Sequence, residues 1–152
     1  MKKNILNTIT SITIFLFLVG CSQAGNHNLK GGYAAEGYDV VAYFNKIAVK
    51  GNVKFATTHK GAGYKFSSLE NLEKFKKAPD KYAPQYGGWC AYAIALKSKK
   101  VGIDPKTYEI RDGKLYLFYN SWGTDTLKLW LKEKPAKLKI AADKNWAKIT
   151  RN

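Results

Sequence analysis

What the chain lacks narrows it first. It has two cysteines, Cys21 and Cys90, in 152 residues. If Cys21 is used at the N-terminus, no intrachain disulfide and no multi-cysteine zinc site can be built. Histidine is equally sparse, with His27 and His59 alone. No paired carboxylates, Gly-x-Ser-x-Gly, His-Glu-x-x-His or phosphate-binding glycine loop occurs, so the sequence argues against an enzyme. Acid is scarce too: 11 acidic against 26 basic residues give a formal charge of +15. The excess is nearly all lysine, spread along the chain, with Arg111 and Arg151 the only arginines. That pattern reads as solvated faces, with anionic lipid headgroups or cell-wall polymers as weak partners. The chain also has no internal repeat and no low-complexity tract.

An N-terminal signal stands out against this background. Lys2 and Lys3 precede an apolar segment from Ile12 to Val19 that ends at Leu18-Val19-Gly20-Cys21. A positive start, a short apolar run and small residues at the cut make a secretory signal. Asn4, Asn7, Thr8, Thr10, Ser11 and Thr13 interrupt the apolar run, leaving it short of the ~20 apolar residues of a transmembrane helix. Leu18 to Cys21 resembles the bacterial lipobox, which implies cleavage before Cys21 and lipidation of its thiol. The expected organisation is a signal peptide over 1–20, lipidated Cys21 with a flexible polar, Gly-rich tether over 21–32, and one domain over 33–152. The membrane, reached through that lipid, is then a partner. The location is the bacterial cell envelope, facing the periplasm or exterior, and nucleic acid is excluded as a partner. His27 falls in the tether and is given no role.

The folded part reads as α+β, with a small antiparallel sheet of hairpins and about four helices. Tyr38 to Phe44 is apolar on both faces and predicts a buried strand. Val53 to His59 alternates, and a turn at Gly61-Ala62-Gly63 leads to a partner strand at Tyr64–Phe66. Ser67 and Glu70 have capping-box spacing before a helix carrying Leu69, Leu72 and Phe75, which Pro79 ends. Trp89 to Leu96 predicts a buried helix. Asp112-Gly113 between Thr107–Arg111 and Lys114–Tyr119 is the strongest hairpin signal. Leu127, Trp130 and Leu131 stripe one C-terminal helix. Leu138, Ala141, Ala142, Trp146 and Ile149 stripe another, begun by Pro135.

Several motifs in order then resemble bacterial YHS-domain proteins of the exported branch. They are Gly37-Tyr38-Asp39-Val40-Val41-Ala42-Tyr43-Phe44, Gly63-Tyr64-Lys65-Phe66-Ser67-Ser68, and Tyr86-Gly87-Gly88-Trp89-Cys90-Ala91, with later matches to residue 147. The resemblance implies a YHS-like fold for the whole domain. Metal-handling members of that family carry cysteines at two positions where this chain has Ala42 and serine (Ser67-Ser68), so the soft ligands for Cu(I) or zinc are absent from both.

Cys90 remains the sharpest chemical candidate. After Gly87-Gly88, in the first turn of a predicted helix, its thiolate would be favoured by the backbone N–H groups and dipole. The alternative is a small buried hydrophobe. His59 and Asp39 with Cys90 would form a mixed site for a copper or zinc ion, if the fold brings them together. Tyr38 and Tyr86, with Tyr43, Tyr64, Tyr82 and Trp89, either line a pocket for a small ligand or build a tyrosine-rich core. Asp39 inside an apolar run needs hydrogen-bond partners, expected from the Gly87-Gly88 loop or a tyrosine hydroxyl. The sequence therefore points to a lipid-anchored, non-catalytic binding or accessory module, whose partner is an envelope protein or small ligand. The alternatives are metal handling through Cys90 and thiol-dependent redox chemistry.

Overall fold

A computed structural model describes residues 23–151; the expected signal peptide and lipidated Cys21 lie outside the described residues. The chain begins with a single 3₁₀ turn at Gln23–Asn26 and two short strands, β1 (Leu29–Lys30) and β2 (Tyr33–Ala34). Hairpin β3 (Asn52–His59) and β4 (Ala62–Phe66) completes a four-stranded sheet in the order β1-β2-β4-β3. Its one parallel contact joins β2 to β4 at Tyr33 and Gly63. Helices α1 (Leu69–Lys77), α2 (Pro79–Tyr82) and α3 (Ala91–Lys97) follow. Then come hairpin β5 (Asp104–Arg111) and β6 (Lys114–Phe118), the short ribbon β7 (Asn120–Ser121) and β8 (Thr124–Asp125), and helices α4 (Thr126–Lys132) and α5 (Pro135–Ile149). The molecule is α+β, as the sequence pattern indicates.

Strand β6 explains why one chain carries two cores. Alternate side chains of a strand point to opposite faces. Leu115 and Leu117 pack with Val40, Tyr43, Tyr64, Phe66 and Phe75 in the first core. Tyr116 and Phe118 pack with Ile94, Trp130, Leu138 and Ala142 in the second. All four β6 residues are buried, so the strand is the shared wall. Its hairpin turns on Asp112 and Gly113, both left-handed (φ 51° and 70°), the backbone a two-residue turn of this kind requires.

Several expectations fail locally, each for a physical reason. Tyr38–Phe44 is not a strand: the chain turns at Asp39 and forms a 3₁₀ turn over Ala42–Asn45. The Asp39 carboxylate accepts from the N–H groups of Val41 and Ala42, a local bond that competes with strand pairing. The expected capping box is displaced by one residue. Ser68 is the N-cap of α1, its hydroxyl accepting from the Asn71 N–H at 3.2 Å, while Ser67 turns inward to Asp39. The β3–β4 turn falls at Lys60-Gly61, both left-handed, so the partner strand starts at Ala62. Pro79 ends α1 and also opens α2 as a first-turn proline. In α4, Trp130 is fully buried, whereas Leu131 is half exposed and off the buried face.

The tether assignment also ends earlier than expected. From Asn26 the chain is docked: the Asn28 N–H donates to the Gly87 carbonyl at 2.8 Å. The Asn28 amide donates to the Gly88 carbonyl at 3.1 Å, and β1 pairs with β2. A glycine is required on the facing side. Gly87 has a φ of +61° and packs so closely on the Asn26 carbonyl that a Cβ there would overlap it. Polar composition alone marked this segment as loose, and long-range backbone pairing overrides it.

Candidate functional site

Asp39 is a hub, not a ligand. It is fully buried, yet both carboxylate oxygens are saturated. Oδ1 accepts from the N–H groups of Val41 (2.9 Å) and Ala42 (3.1 Å). Oδ2 accepts from the Ser67 N–H (2.8 Å), the Ser67 hydroxyl (2.7 Å) and the Asn71 amide (2.8 Å). The partners differ from those expected, because the turn after Asp39 and the start of α1 reach it first. Five donors are what a buried carboxylate needs, and they leave no lone pair free for a metal. Tyr38 sits beside it in the same core, buried and bridged to Lys50.

Cys90 occupies the N-cap position of α3 without capping it. Its sulfur turns away from the helix N-terminus. It receives the Tyr119 N–H at 3.4 Å and lies 3.4 Å from the Thr126 hydroxyl. The Thr126 hydroxyl itself donates to the Tyr119 carbonyl at 2.8 Å. A fully buried sulfur so placed lacks the exposed, electropositive setting of a reactive thiolate. Cys90 and His59 are not brought together. Cys90 lies between α3 and α4, whereas the His59 ring packs edge-on against Phe75 in the first core (6.1 Å between centroids). Among the described residues no group of three His, Cys, Asp or Glu side chains is arranged to hold a metal.

The polar side chains that do converge lie elsewhere. A cleft of about 490 Å³ opens between the end of β3, the α2–Gly88 segment and α5. His27, His59, Lys60 and Asp80 line one side. Tyr86, Asp143 and Trp146 line the other. Asp80 receives Lys60 Nζ at 2.7 Å and meets His59 Nε2 at 2.8 Å. These two hydrogen bonds hold the Asp80 carboxyl below the usual range. Across the cleft the Tyr86 hydroxyl donates to Asp143 Oδ1 at 2.9 Å. Burial first, and then that carboxylate, push the Tyr86 phenol far above its ordinary value. Burial raises Tyr64 to about 12, with Asp80 adding to it. His27 moves the other way: burial lowers its imidazole, opposed by a hydrogen bond to the Lys60 backbone.

Of the sequence candidates, His59, Tyr64, Tyr86 and Gly87 therefore reach the cleft, and Gly88 contributes its carbonyl to docking Asn28. The rest of the tyrosine set mainly builds core. Tyr43 packs on Tyr108 at 4.5 Å and donates to the Pro105 carbonyl at 2.6 Å. Tyr82 meets Phe44 edge-on, and the Trp89 indole donates to the Asn26 carbonyl at 3.1 Å. Sequence reasoning missed His27, Lys60, Asp80, Asp143 and Trp146. They come from four separated segments, and no spacing rule links them. The one available signal was that a second histidine lay close to the domain boundary.

Comparison with known proteins places one part of this architecture. A YHS domain model matches residues 40–86. The match runs from the turn after Asp39 to Tyr86, covering the 40–66 part of the first core, helices α1 and α2, and the cleft residues His59, Lys60, Asp80 and Tyr86. No curated protein and no solved structure matches the chain.

Proposed function

We propose that the chain is an envelope protein, lipid-anchored through Cys21, whose YHS domain serves as a non-catalytic binding module. Its ligand seat is the cleft between the matched segment and α5. The observation that carries this reading is the pairing of the titratable groups in that cleft. Lys60 and His59 are engaged by Asp80, and the Tyr86 phenol is engaged by Asp143 and held protonated. Groups tied in this way offer oriented donors and acceptors, and His27 beside them is bonded to the Lys60 backbone. The Trp146 ring adds an apolar wall, so the cleft suits a small polar ligand or peptide segment with one flat or apolar face.

The test is native mass spectrometry of the full chain isolated from envelopes, compared with Trp146→Ala and Cys90→Ser and repeated with added Cu(I) and Zn(II). A co-purifying mass lost in Trp146→Ala and kept in Cys90→Ser is expected. Stoichiometric copper or zinc that disappears in Cys90→Ser would replace this reading with metal handling.

A further inference from the structure

A second cavity, outside the 40–86 segment, lies between α3, α4 and the β7–β8 ribbon and measures about 400 Å³. That volume is within the roughly 300–1,000 Å³ of small-molecule sites. Its walls are Ala93, Leu96, Val101 and Leu129. Of the polar groups on its lining, the Cys90 thiol and the Thr126 and Tyr92 hydroxyls already have partners inside the protein. Cys90 and Thr126 are bonded to each other and to the Tyr119 backbone, and the Tyr92 hydroxyl donates to Glu133 at 2.7 Å. A polar ligand body would give up its water hydrogen bonds here and regain few, so the body must be apolar. Among the lining residues Lys97 alone carries a charge, in the last turn of α3 and exposed.

The rim bears a further mark. Trp122 is 95% exposed at the turn of the ribbon whose Thr124 lines the cavity. Both Trp122 and Gly123 are left-handed (φ 50° and 76°), the backbone of a two-residue turn, and the indole there stands in solvent. An indole in that position is suited to a membrane–water interface, and half-exposed Leu96 extends the apolar rim. We infer that this cavity takes the aliphatic chain of a single-chain amphiphile, with its anionic head at Lys97. The Glu133 carboxylate, which accepts from the lining Tyr92 hydroxyl, would repel an anionic head placed beside it.

The inference does not rest on the polar cleft, and the two fail separately because Trp146 lines the cleft and not this cavity. The experiment titrates carboxyl-labelled ¹³C-dodecanoate into the full chain held in amphipol and follows the bound carboxylate resonance by NMR. One saturable site is expected. Ala93→Leu, which fills the cavity, should weaken binding at least tenfold. Lys97→Gln should weaken dodecanoate about threefold, the scale of an exposed ion pair, and leave dodecanol binding unchanged. Displacement of dodecanoate by lysophosphatidylglycerol would identify a lipid as the source, and its absence a free fatty acid; both keep the shared chemistry. The inference is overturned by no saturable resonance in the wild type, or by equal loss of dodecanol and dodecanoate in Lys97→Gln. Unchanged affinity in a folded Ala93→Leu also overturns it. Should Ala93→Leu not fold, exposed Lys97→Gln still decides.

Discussion

Asp39 and Cys90 are both fully buried polar residues, one in each half of the molecule, and their surroundings could hardly differ more. Asp39 gathers five donors from the turn that follows it and from the start of α1. Cys90 makes two weak sulfur contacts at 3.4 Å, in a setting otherwise built by packing. The first core is thus organised around a charged hub that ties the turn after it to the start of α1. The second is organised around large apolar side chains on β6, α3, α4 and α5. Equal burial therefore does not mean equal structural weight; what matters is how many groups lose a partner when the residue changes.

Substitutions at the two residues test that contrast most directly. Asp39→Ala should cost about 3–5 kcal/mol, since it strands several buried donors at once. Urea unfolding of the full chain reads it, and a loss under 1 kcal/mol would remove the hub. Asp39→Asn should fall between, keeping some bonds but losing the charge. In the other core, Trp130→Phe should cost about 2 kcal/mol. It removes an indole that fills the core and donates to Glu109 at 2.9 Å, leaving that carboxylate with Arg111 alone. Gly87→Ala should cost about 1–3 kcal/mol through its left-handed backbone and the overlap with Asn26. Faster amide exchange at Asn28 should accompany it, because the Asn28 N–H bond to Gly87 would open.

Cys90→Ala should cost only about 1 kcal/mol. In the native chain its thiol should react with a disulfide reagent no faster than the protein opens. Prompt reaction under native conditions would revive thiol chemistry. The smallest effect concerns pH. The folded His27 imidazole titrates below its ordinary 6.5 because it is partly buried beside His59 and Lys60. The unfolded chain then binds the proton more readily, so stability present above pH 6.5 is lost as pH falls through and below that value. His27→Gln should flatten that acid limb, and a limb unchanged by the substitution would assign it to other groups.

Much of the fold was legible because its signals are local. Asp112-Gly113, Pro135 and the stripe containing Leu138 and Ala142 each report a backbone preference or a periodicity that acts over a few residues. The buried thiol was also legible as one of two alternatives, since a cysteine among Trp89, Ala91 and Ala93 has an apolar setting in sequence. What misled was local pattern overruled at long range. Tyr38–Phe44 has a strand's composition, yet the Asp39 carboxylate turns it. Residues 26–30 have a linker's composition, yet Gly87, Gly88 and β2 hold them. The polar cleft was not legible as a site, although His59, Tyr86 and Gly87 were singled out separately. Its side chains come from residue 27, from 59–64, from 80–87 and from 143–150, and only packing of α5 against the rest assembles them.

By itself the sequence determined the α+β class, the Asp112-Gly113 hairpin turn and the helical register of α5. These follow from backbone stereochemistry and side-chain periodicity within a few residues of one another. Only the tertiary structure decided that Asp39 is a hub, that Cys90 faces Thr126 and Tyr119, and that an apolar cavity and a polar cleft lie on different parts of the chain. Those outcomes depend on which distant groups arrive to satisfy a buried donor, acceptor or surface, and that is settled when the whole chain packs.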